Sequence, residues 1–470
     1  MTPKELYDLL SNFQPEVETF QESQLPLFTF IIMIICMEIS KYTILIRHQK
    51  GLFVYNSLNN CLIQTDEDLF AALENLKDKS FDPIELTDDV EITSKLRKAL
   101  FLIDNKGDDL LLYQSVIWNR RRTPDVYNIT IAPTMDCNFH CYYCFETPTK
   151  GLISNETIRR ISKYISETKD ASVVNLTWFG GEPLLAKKQI IQLSKLIKLP
   201  KETHLGVTII TNGYFLDEEF IKILSALYVE NIQITLDGLW DDYNKVKSMR
   251  EDKHCFNKIL KNIDVFAKYH KDISLHIRVN MDKTNMHKFH EISTFFKERY
   301  PYNSNIFVYA AFLKNINNTT AKNKLCYYCD IEDQVDFSLS IFEKTLDKKY
   351  LYPQNGFYEC AIRNHNSWAF GPDGSVYKCW ENIGNTDNKI GFIDENGKIQ
   401  ISDEAKLIRY CFGADPLYDN DCKDCFYLPI CHGKCPNQRI LNELHLAKKQ
   451  PCMKDTKCID RYLESLISRL

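Results

Sequence analysis

Residues 135–144 read Met135-Asp136-Cys137-Asn138-Phe139-His140-Cys141-Tyr142-Tyr143-Cys144. The stretch before them, Tyr127–Ala132, has the make-up of a β-strand. Outward from this point a strand–helix alternation runs for nearly two hundred residues. Strands are expected at Tyr127–Ala132, Val173–Trp178, Gly206–Thr211, Asn231–Leu236, Ser274–Asn280 and Asn305–Ala310. Helices are expected between them at Asn155–Ser166, Lys187–Ile197, Asp217–Leu227, Phe256–Tyr269 and Met286–Glu298. This order predicts an α/β fold, a six-unit partial β/α barrel of TIM-barrel type. Ligands of such folds sit at the carboxyl ends of the strands. The three cysteines follow the first of those ends.

Four segments are expected. Residues 1–36 are an uncertain extension, with Met37 as a candidate start. The apolar run Leu25 to Met37 is shorter than the roughly 20 residues a membrane span needs, and it lacks a basic start and a cleavage site. Residues 37–120 form a small α+β module. Its strands are expected at Tyr42–Arg47 and Leu52–Tyr55 and its helices at Asp66–Leu76 and Ile92–Leu102, a winged-helix-like set. Residues 125–320 hold the barrel. Residues 321–470 begin as a polar linker and become loop-rich and cysteine-dense, which predicts a separate domain held by metal more than by a large core.

Whole-chain numbers narrow the function. The chain has 470 residues, 44% hydrophobic and 26% charged, with a net charge of -5. These values fit an ordinary globular protein of two or three domains and exclude a general nucleic-acid binder. Arg120-Arg121-Arg122 reads as a solvated loop. No membrane partner is expected. Seventeen cysteines in a chain this long, without a signal peptide, point to metal binding in a reducing cytoplasm. The histidines form no zinc-type pair with them, which favours iron–sulfur ligation by thiolates.

The spacing Cx3CxxC lets Cys137, Cys141 and Cys144 wrap one face of a four-iron cubane and leave one iron open. Zinc would need a fourth ligand, and His140, squeezed between two of the cysteines, is a poor one. The pattern, with an aromatic residue before the last cysteine, resembles the signature of the radical S-adenosylmethionine (SAM) superfamily. That resemblance implies a cofactor chelated at the open iron and cleaved reductively to a 5′-deoxyadenosyl radical, which takes a hydrogen atom from substrate.

Other segments at strand ends carry the same resemblance. Trp178-Phe179-Gly180-Gly181-Glu182-Pro183 is similar to the family's GGEP segment, with Gly180 and Gly181 allowing close approach and Glu182 meeting the cofactor's ammonium group. Asn212 of Thr211-Asn212-Gly213 and Thr235 of Thr235-Leu236-Asp237-Gly238 would line the cofactor site. Thr235 would offer a hydroxyl to a ribose or carboxylate. Lys247, or Arg250 in its place, would pair the cofactor carboxylate. Asn280 would bond the ribose, and Tyr143 would pack on or bond the adenine.

The second cysteine field resembles the seven-cysteine SPASM domain of radical SAM enzymes that modify peptides and proteins. By that resemblance Cys422, Cys425, Cys431 and Cys452 would hold one auxiliary four-iron cluster, with Cys458 competing for the place of Cys452. Cys360, Cys379 and Cys435 would hold another, its fourth position taken by Cys326, Cys329 or Cys411 or left open. Taken alone, CxxC pairs fit zinc ribbons equally well. Cys36, Cys61 and Cys255 read as buried apolar thiols, and His365 and His432 as structural.

Two reactions compete. The chain resembles maturases of ribosomally made peptides, which install crosslinks, and also anaerobic sulfatase maturases, which make formylglycine. The latter carry an Asp directly after the cysteine matching Cys379. Here Trp380 stands there, with Glu381 next. The leading module would grip a peptide by strand addition. A peptide or protein substrate and a reductant such as flavodoxin or ferredoxin are the implied partners. A non-catalytic iron–sulfur or zinc protein is the third reading.

Overall fold

The computed structural model describes residues 37–77, 90–247, 254–314, 326–345, 359–444, 452–456 and 458–470. The extension 1–36, with the apolar run before Met37, and Arg250 lie outside them.

Strands β1 (Thr43–His48), β2 (Gly51–Asn56) and β3 (Cys61–Thr65) form an antiparallel sheet with β2 in the middle. The third strand was not expected from the sequence. Both faces of the sheet are buried. Val54, Cys61 and Ile63 pack on helices α1 (Glu67–Lys77) and α2 (Val90–Lys98). Phe53, Tyr55 and Leu62 pack on residues from Ile331 to Phe342 and from Cys458 to Ile467.

The expected helix Ile92–Leu102 stops at Lys98. Leu100 adopts a left-handed φ of 61°, and Leu102–Ile103 pairs antiparallel with Glu38–Ile39. A further helix, α3 (Asp108–Arg121), then ties the module to the rest of the chain. Its Tyr113, Val116 and Ile117 pack with Tyr42 and Leu58 and also with Leu417 and Leu428.

Arg121 corrects the reading of the arginine run as a solvated loop. It ends α3, and its side chain is 11% exposed. Its Nε donates to Glu359 at 2.6 Å and its Nη1 to Asp415 at 2.5 Å. Burial acts to raise the Asp415 carboxyl, but Arg121 outweighs it and holds the group below its usual range. That contribution to stability is therefore complete above the ordinary carboxylate range. It is lost as pH falls through the depressed value. Arg121→Ala takes the paired guanidinium from buried Asp415 and half-buried Glu359 and is expected to cost about 3 kcal/mol, read as a lower urea midpoint at neutral pH. An unchanged midpoint would show that the pair does not hold the module in place.

The six expected strands form. Strands β4 (Val126–Ile131), β5 (Val173–Trp178), β6 (His204–Thr211), β7 (Val229–Thr235), β8 (Ser274–Met281) and β9 (Ile306–Phe312) lie side by side in chain order, all parallel. The connecting helices include Asn155–Ser166, which starts where Ser154 Oγ accepts the Thr157 N–H at 3.0 Å. The expected helix Asp217–Leu227 is α-helical over Glu218–Lys222 and ends in a 3-10 turn at Ser225–Leu227.

Side chains alternate along each strand. Ile129 and Ile131, Leu176 and Trp178, Ile232 and Ile234, and Ile277 and Val279 belong to the main core. Their neighbours Asn128, Thr130, Asn175 and Thr177 line an open cleft. A closed eight-stranded barrel fills its interior with side chains. This six-stranded arc instead keeps a polar inner face.

The sheet does not stop at the barrel. Strand β10 (Ser367–Phe370) pairs parallel with β4, and β11 (Ser375–Tyr377), β12 (Gly391–Ile393) and β13 (Ile399–Ile401) continue it antiparallel, giving ten strands. Ile362, Phe370, Val376, Ile390 and Ile393 join the barrel's own core. The described part of the cysteine-rich region thus shares packing with the barrel. Among the described residues no helix is long and apolar enough to cross a membrane.

Candidate active site

The cysteine loop and the Gly-Gly segment are zipped together at the strand ends. Gly181 N–H donates to Thr134 O at 3.3 Å and Glu182 N–H to Asp136 O at 2.9 Å. A Cβ on Gly181 would stand 2.3 Å from Asp136 O, and one on Gly180 2.4 Å from Thr134 O. Gly180 also has a φ of 105°, which favours glycine. The glycines are thus needed first to bring two backbones together.

Glu182 is fully buried and anchors the next strand end. Its Oε1 accepts from Leu184 N–H at 2.9 Å and Thr211 Oγ1 at 2.7 Å, and its Oε2 from Asn212 N–H at 2.7 Å. Burial pushes its carboxyl up, against the pull of these donors. Asn212 Nδ2 reaches Asn138 Oδ1 at 2.8 Å, inside the cysteine loop. Asn138 Nδ2 is buried and has no partner among the described residues. A buried donor left unpaired is costly and marks a place where a further group fits.

A second knot closes the other side of the loop. Lys247 Nζ lies 3.0 Å from Asp237 Oδ2, with both side chains almost wholly buried. Lys247 also donates to the Tyr143 hydroxyl at 2.5 Å, and that hydroxyl bonds Asp237. Asn280 Nδ2 reaches the same hydroxyl at 3.2 Å, and its backbone N–H donates to Asp237 Oδ1 at 2.8 Å. Tyr143, Lys247 and Asn280, singled out in the sequence, are thus brought together by Asp237. Thr235 is half-buried at the end of β7.

Burial raises the thiols of Cys137, Cys141 and Cys144, the last to about 12. Glu182 acts on Cys137, and Lys247 pulls Cys141 and Cys144 back. Cys141 and Cys144 each act on Cys137. Among the described residues no group of three or more His, Cys, Asp or Glu is placed to hold a single metal ion.

The later cysteines fall into two sets. Cys452 and Cys422 both act on Cys425 and on Cys431, and Cys452 also acts on Cys422. Cys458 is buried in an apolar cluster with Ile459, Tyr462 and Leu463. Cys360, Cys379 and Cys435 line one cleft, of about 1250 Å³, together with Trp380, Glu381 and the inner face of the barrel. Cys360 and Cys435 both act on Cys379.

Cys137 Sγ accepts the backbone N–H of Phe139 at 3.4 Å. Such amides stabilise thiolates and tune iron–sulfur centres.

Residues 131–296 match the Radical SAM superfamily. The chain carries a radical SAM domain. The match begins in β4 and ends in the helix Phe289–Arg299, so it covers the cysteine loop, the Gly-Gly segment and the Lys247–Asp237 pair. Over 341 residues the chain is 24% identical to a cysteine-type anaerobic sulfatase-maturating enzyme of Clostridium novyi (strain NT), covering 65% of this chain and 87% of that one. It is also 24% identical over 346 residues to a serine-type anaerobic sulfatase-maturating enzyme of Bacteroides thetaiotaomicron, covering 65% and 81%. Among solved structures, native anSMEcpe with bound AdoMet and Kp18Cys peptide superposes with a TM-score of 0.57 at 18% identity, covering 73% of this chain and 98% of that one. This last likeness concerns the fold.

A radical SAM domain holds a four-iron cluster and binds SAM, and the protein is an enzyme of radical chemistry. Three half-buried thiols on one loop, with an unpaired amide beside them, fit that pair of groups. When bound, they supply the one-electron cleavage that starts the reaction. The chain's own part is to bury the loop, to pin it to Glu182 through Asn212, and to place Lys247 and Tyr143 beside it. Sequence reading passed over Asp237 and Asn138 as site residues. Both lay inside quoted motifs, and an acidic residue directly after a strand end was the available signal for Asp237.

Proposed function

We propose that this radical SAM enzyme modifies a side chain of a peptide or protein, as a maturase of ribosomally made peptides. The observation that carries this reading is the cleft. It joins the polar inner face of the barrel to the wall bearing Cys360, Cys379 and Cys435. Its volume exceeds the roughly 300–1,000 Å³ of a small-molecule pocket, so it suits an extended peptide segment. In this reading Cys422, Cys425, Cys431 and Cys452 hold one auxiliary cluster and Cys360, Cys379 and Cys435 the other. The region is SPASM-like, and the protein works in a reducing cytoplasm with a flavodoxin or ferredoxin as electron donor. The leading sheet offers β1 and β3, each paired on one side only among the described residues, for peptide strand addition.

Formylglycine formation is the second reading, favoured by the names of the sulfatase-maturating relatives. Against it stands Trp380. This residue is exposed, lines the cleft and stacks on Phe179 at 5.6 Å. An indole cannot accept a proton, so the position cannot serve as a base.

Anaerobically purified protein should be brown, absorbing broadly near ~400 nm. With dithionite and SAM it should release 5′-deoxyadenosine. With its precursor peptide, release should be coupled to loss of two hydrogens from the peptide, seen by mass spectrometry. Only uncoupled cleavage with every precursor tried would count against peptide maturation. A hydrazine-reactive aldehyde on a sulfatase-derived peptide would favour the second reading.

A further inference from the structure

The wall of the cleft carries an aromatic platform. Trp380 lines the cleft and is 44% exposed. One face of its indole is backed by Phe179, with ring centroids 5.6 Å apart and planes 18° from parallel. Phe179 in turn packs on Ala132, Met135, Ala369, Tyr377 and Ile383, so the pair rests on core. A large ring left open in a concave wall is the usual anchor of a binding surface. It offers much contact area for little loss of conformational freedom.

Bonds on both sides fix the indole in place. Phe179, directly before the Gly-Gly segment, donates its N–H to Ile131 O at the end of β4, at 3.0 Å. Trp380 opens the 3-10 turn Trp380–Asn382. The turn is closed by Asn382 N–H on Cys379 O and by Ile383 N–H on Trp380 O, both at 3.1 Å. Asn382 is 1% exposed and ties the turn down. Its Nδ2 donates to the Tyr410 hydroxyl at 2.9 Å and to Asn437 Oδ1 at 3.3 Å. The stack thus joins the strand end that bears the cofactor segment to the turn that follows Cys379.

The open face selects its occupant by chemistry. Among the described residues Phe179 is the ring stacked on Trp380, and no Lys or Arg stands over the indole. Lys378, two residues back, covers Trp368 instead, at 4.5 Å. Lys314 and Lys434 line the cleft without an ion pair among the described residues and offset Glu381 and Asp387, so no excess of negative charge draws a cation there. A near-parallel pair of rings is extended by a third flat ring.

We propose that Trp380 is a substrate-selecting residue, whose open face stacks on an aromatic side chain of the peptide. This deepens the reading of the chain as a peptide-modifying enzyme and rests on it.

The test uses the full chain, reconstituted anaerobically with iron, sulfide and SAM, and an mRNA-displayed library of random linear peptides as the probe. The parent, Trp380→Leu and Trp380→Phe are selected in parallel, so that sequences held elsewhere, as on the leading sheet, appear in every pool. Trp380→Leu keeps apolar bulk against Phe179 and removes the flat face, whereas Trp380→Phe keeps a ring. The three proteins are compared at matched iron content, so that a disturbed turn beside Cys379 is not read as lost selection. At one position the parent pool is expected to be about 10-fold richer in Phe, Tyr and Trp than the Trp380→Leu pool, and the Trp380→Phe pool should keep most of that preference. In a selected peptide, changing the aromatic residue to Leu should weaken binding to the parent about 10-fold and leave binding to Trp380→Leu unchanged. Equal aromatic content in the parent and Trp380→Leu pools would overturn the proposal, as would a parent pool rich in Lys and Arg instead. A parent that selects no sequence at all would remove the peptide reading as well, so the two layers fail differently.

Discussion

Cys141→Ala is expected to abolish 5′-deoxyadenosine release, a fall of more than ~1000-fold, while the protein stays folded and brown. The size of the effect follows from the chemistry of the loop. Three thiolates hold three corners of the cubane, and a cluster missing one of them is lost or degraded. Iron should fall from about twelve to about eight per chain if two auxiliary clusters remain. Cys141 is the middle thiol of the three, and Lys247 is the cation that acts on it most strongly. Its removal therefore also takes an anionic partner from the Lys247–Asp237 knot. The control is Cys458→Ala. That thiol is buried among Ile459, Tyr462 and Leu463, in an apolar cluster that Cys431 also packs against, and as it is a packing residue its loss should leave iron and cleavage unchanged. Full iron and normal cleavage in Cys141→Ala would remove the loop from the reaction.

The barrel was legible because each of its strands announces itself locally. Val173–Trp178 has the residue types of a strand and is bounded by polar turns, and its limits agree with the structure. The same holds for the helix Asn155–Ser166, with a serine cap before it. What escaped was set by distant partners. Strand Ser367–Phe370 is four residues long and exists because it pairs with Val126–Ile131, more than two hundred residues earlier. The helix Asp108–Arg121 has apolar residues spread round it. Its buried positions are chosen by two surfaces, one of them near Leu417 and Leu428. Ile92–Leu102 looked like one helix because its tail is apolar, yet Leu102–Ile103 is claimed by Glu38–Ile39.

The site was legible to a similar depth. Cysteine spacing marked the ligand candidates and put Cys452 in the set, with Cys458 competing for its place. In the structure Cys458 is enclosed by apolar side chains, an environment that no local spacing encodes. Asp237 could be seen as part of a strand-end motif. Its role in joining Tyr143, Lys247 and Asn280 depends on three segments meeting, which no local pattern encodes.

Gly181→Ala is expected to lower SAM cleavage about 100-fold or more with iron content unchanged. The residue offers no side chain to any ligand, so the effect must come through position. Its backbone φ is not in the left-handed region, and an alanine is conformationally acceptable there. What fails is space. The new Cβ would lie 2.3 Å from Asp136 O and 2.7 Å from both Asp136 C and Met135 O, all of them backbone atoms that cannot swing aside. The two loops must separate by several tenths of an ångström at least, stretching the Glu182 N–H to Asp136 O bond of 2.9 Å. Glu182 then shifts relative to the cysteine loop, and with it the Thr211 and Asn212 contacts that order the next strand end. Displacements approaching 1 Å in a reacting site can cost about 10²-fold. Gly206→Ala makes the contrast. Its Cβ would also meet an atom at 2.7 Å, but that atom is Glu230 Oε2, the far end of a flexible, exposed side chain whose partner His204 is exposed too. Gly206→Ala should cleave SAM as the parent does. If Gly181→Ala did so too, the close approach of the two loops would have no bearing on how the cofactor is held, and Glu182 would have to act without being fixed by Asp136.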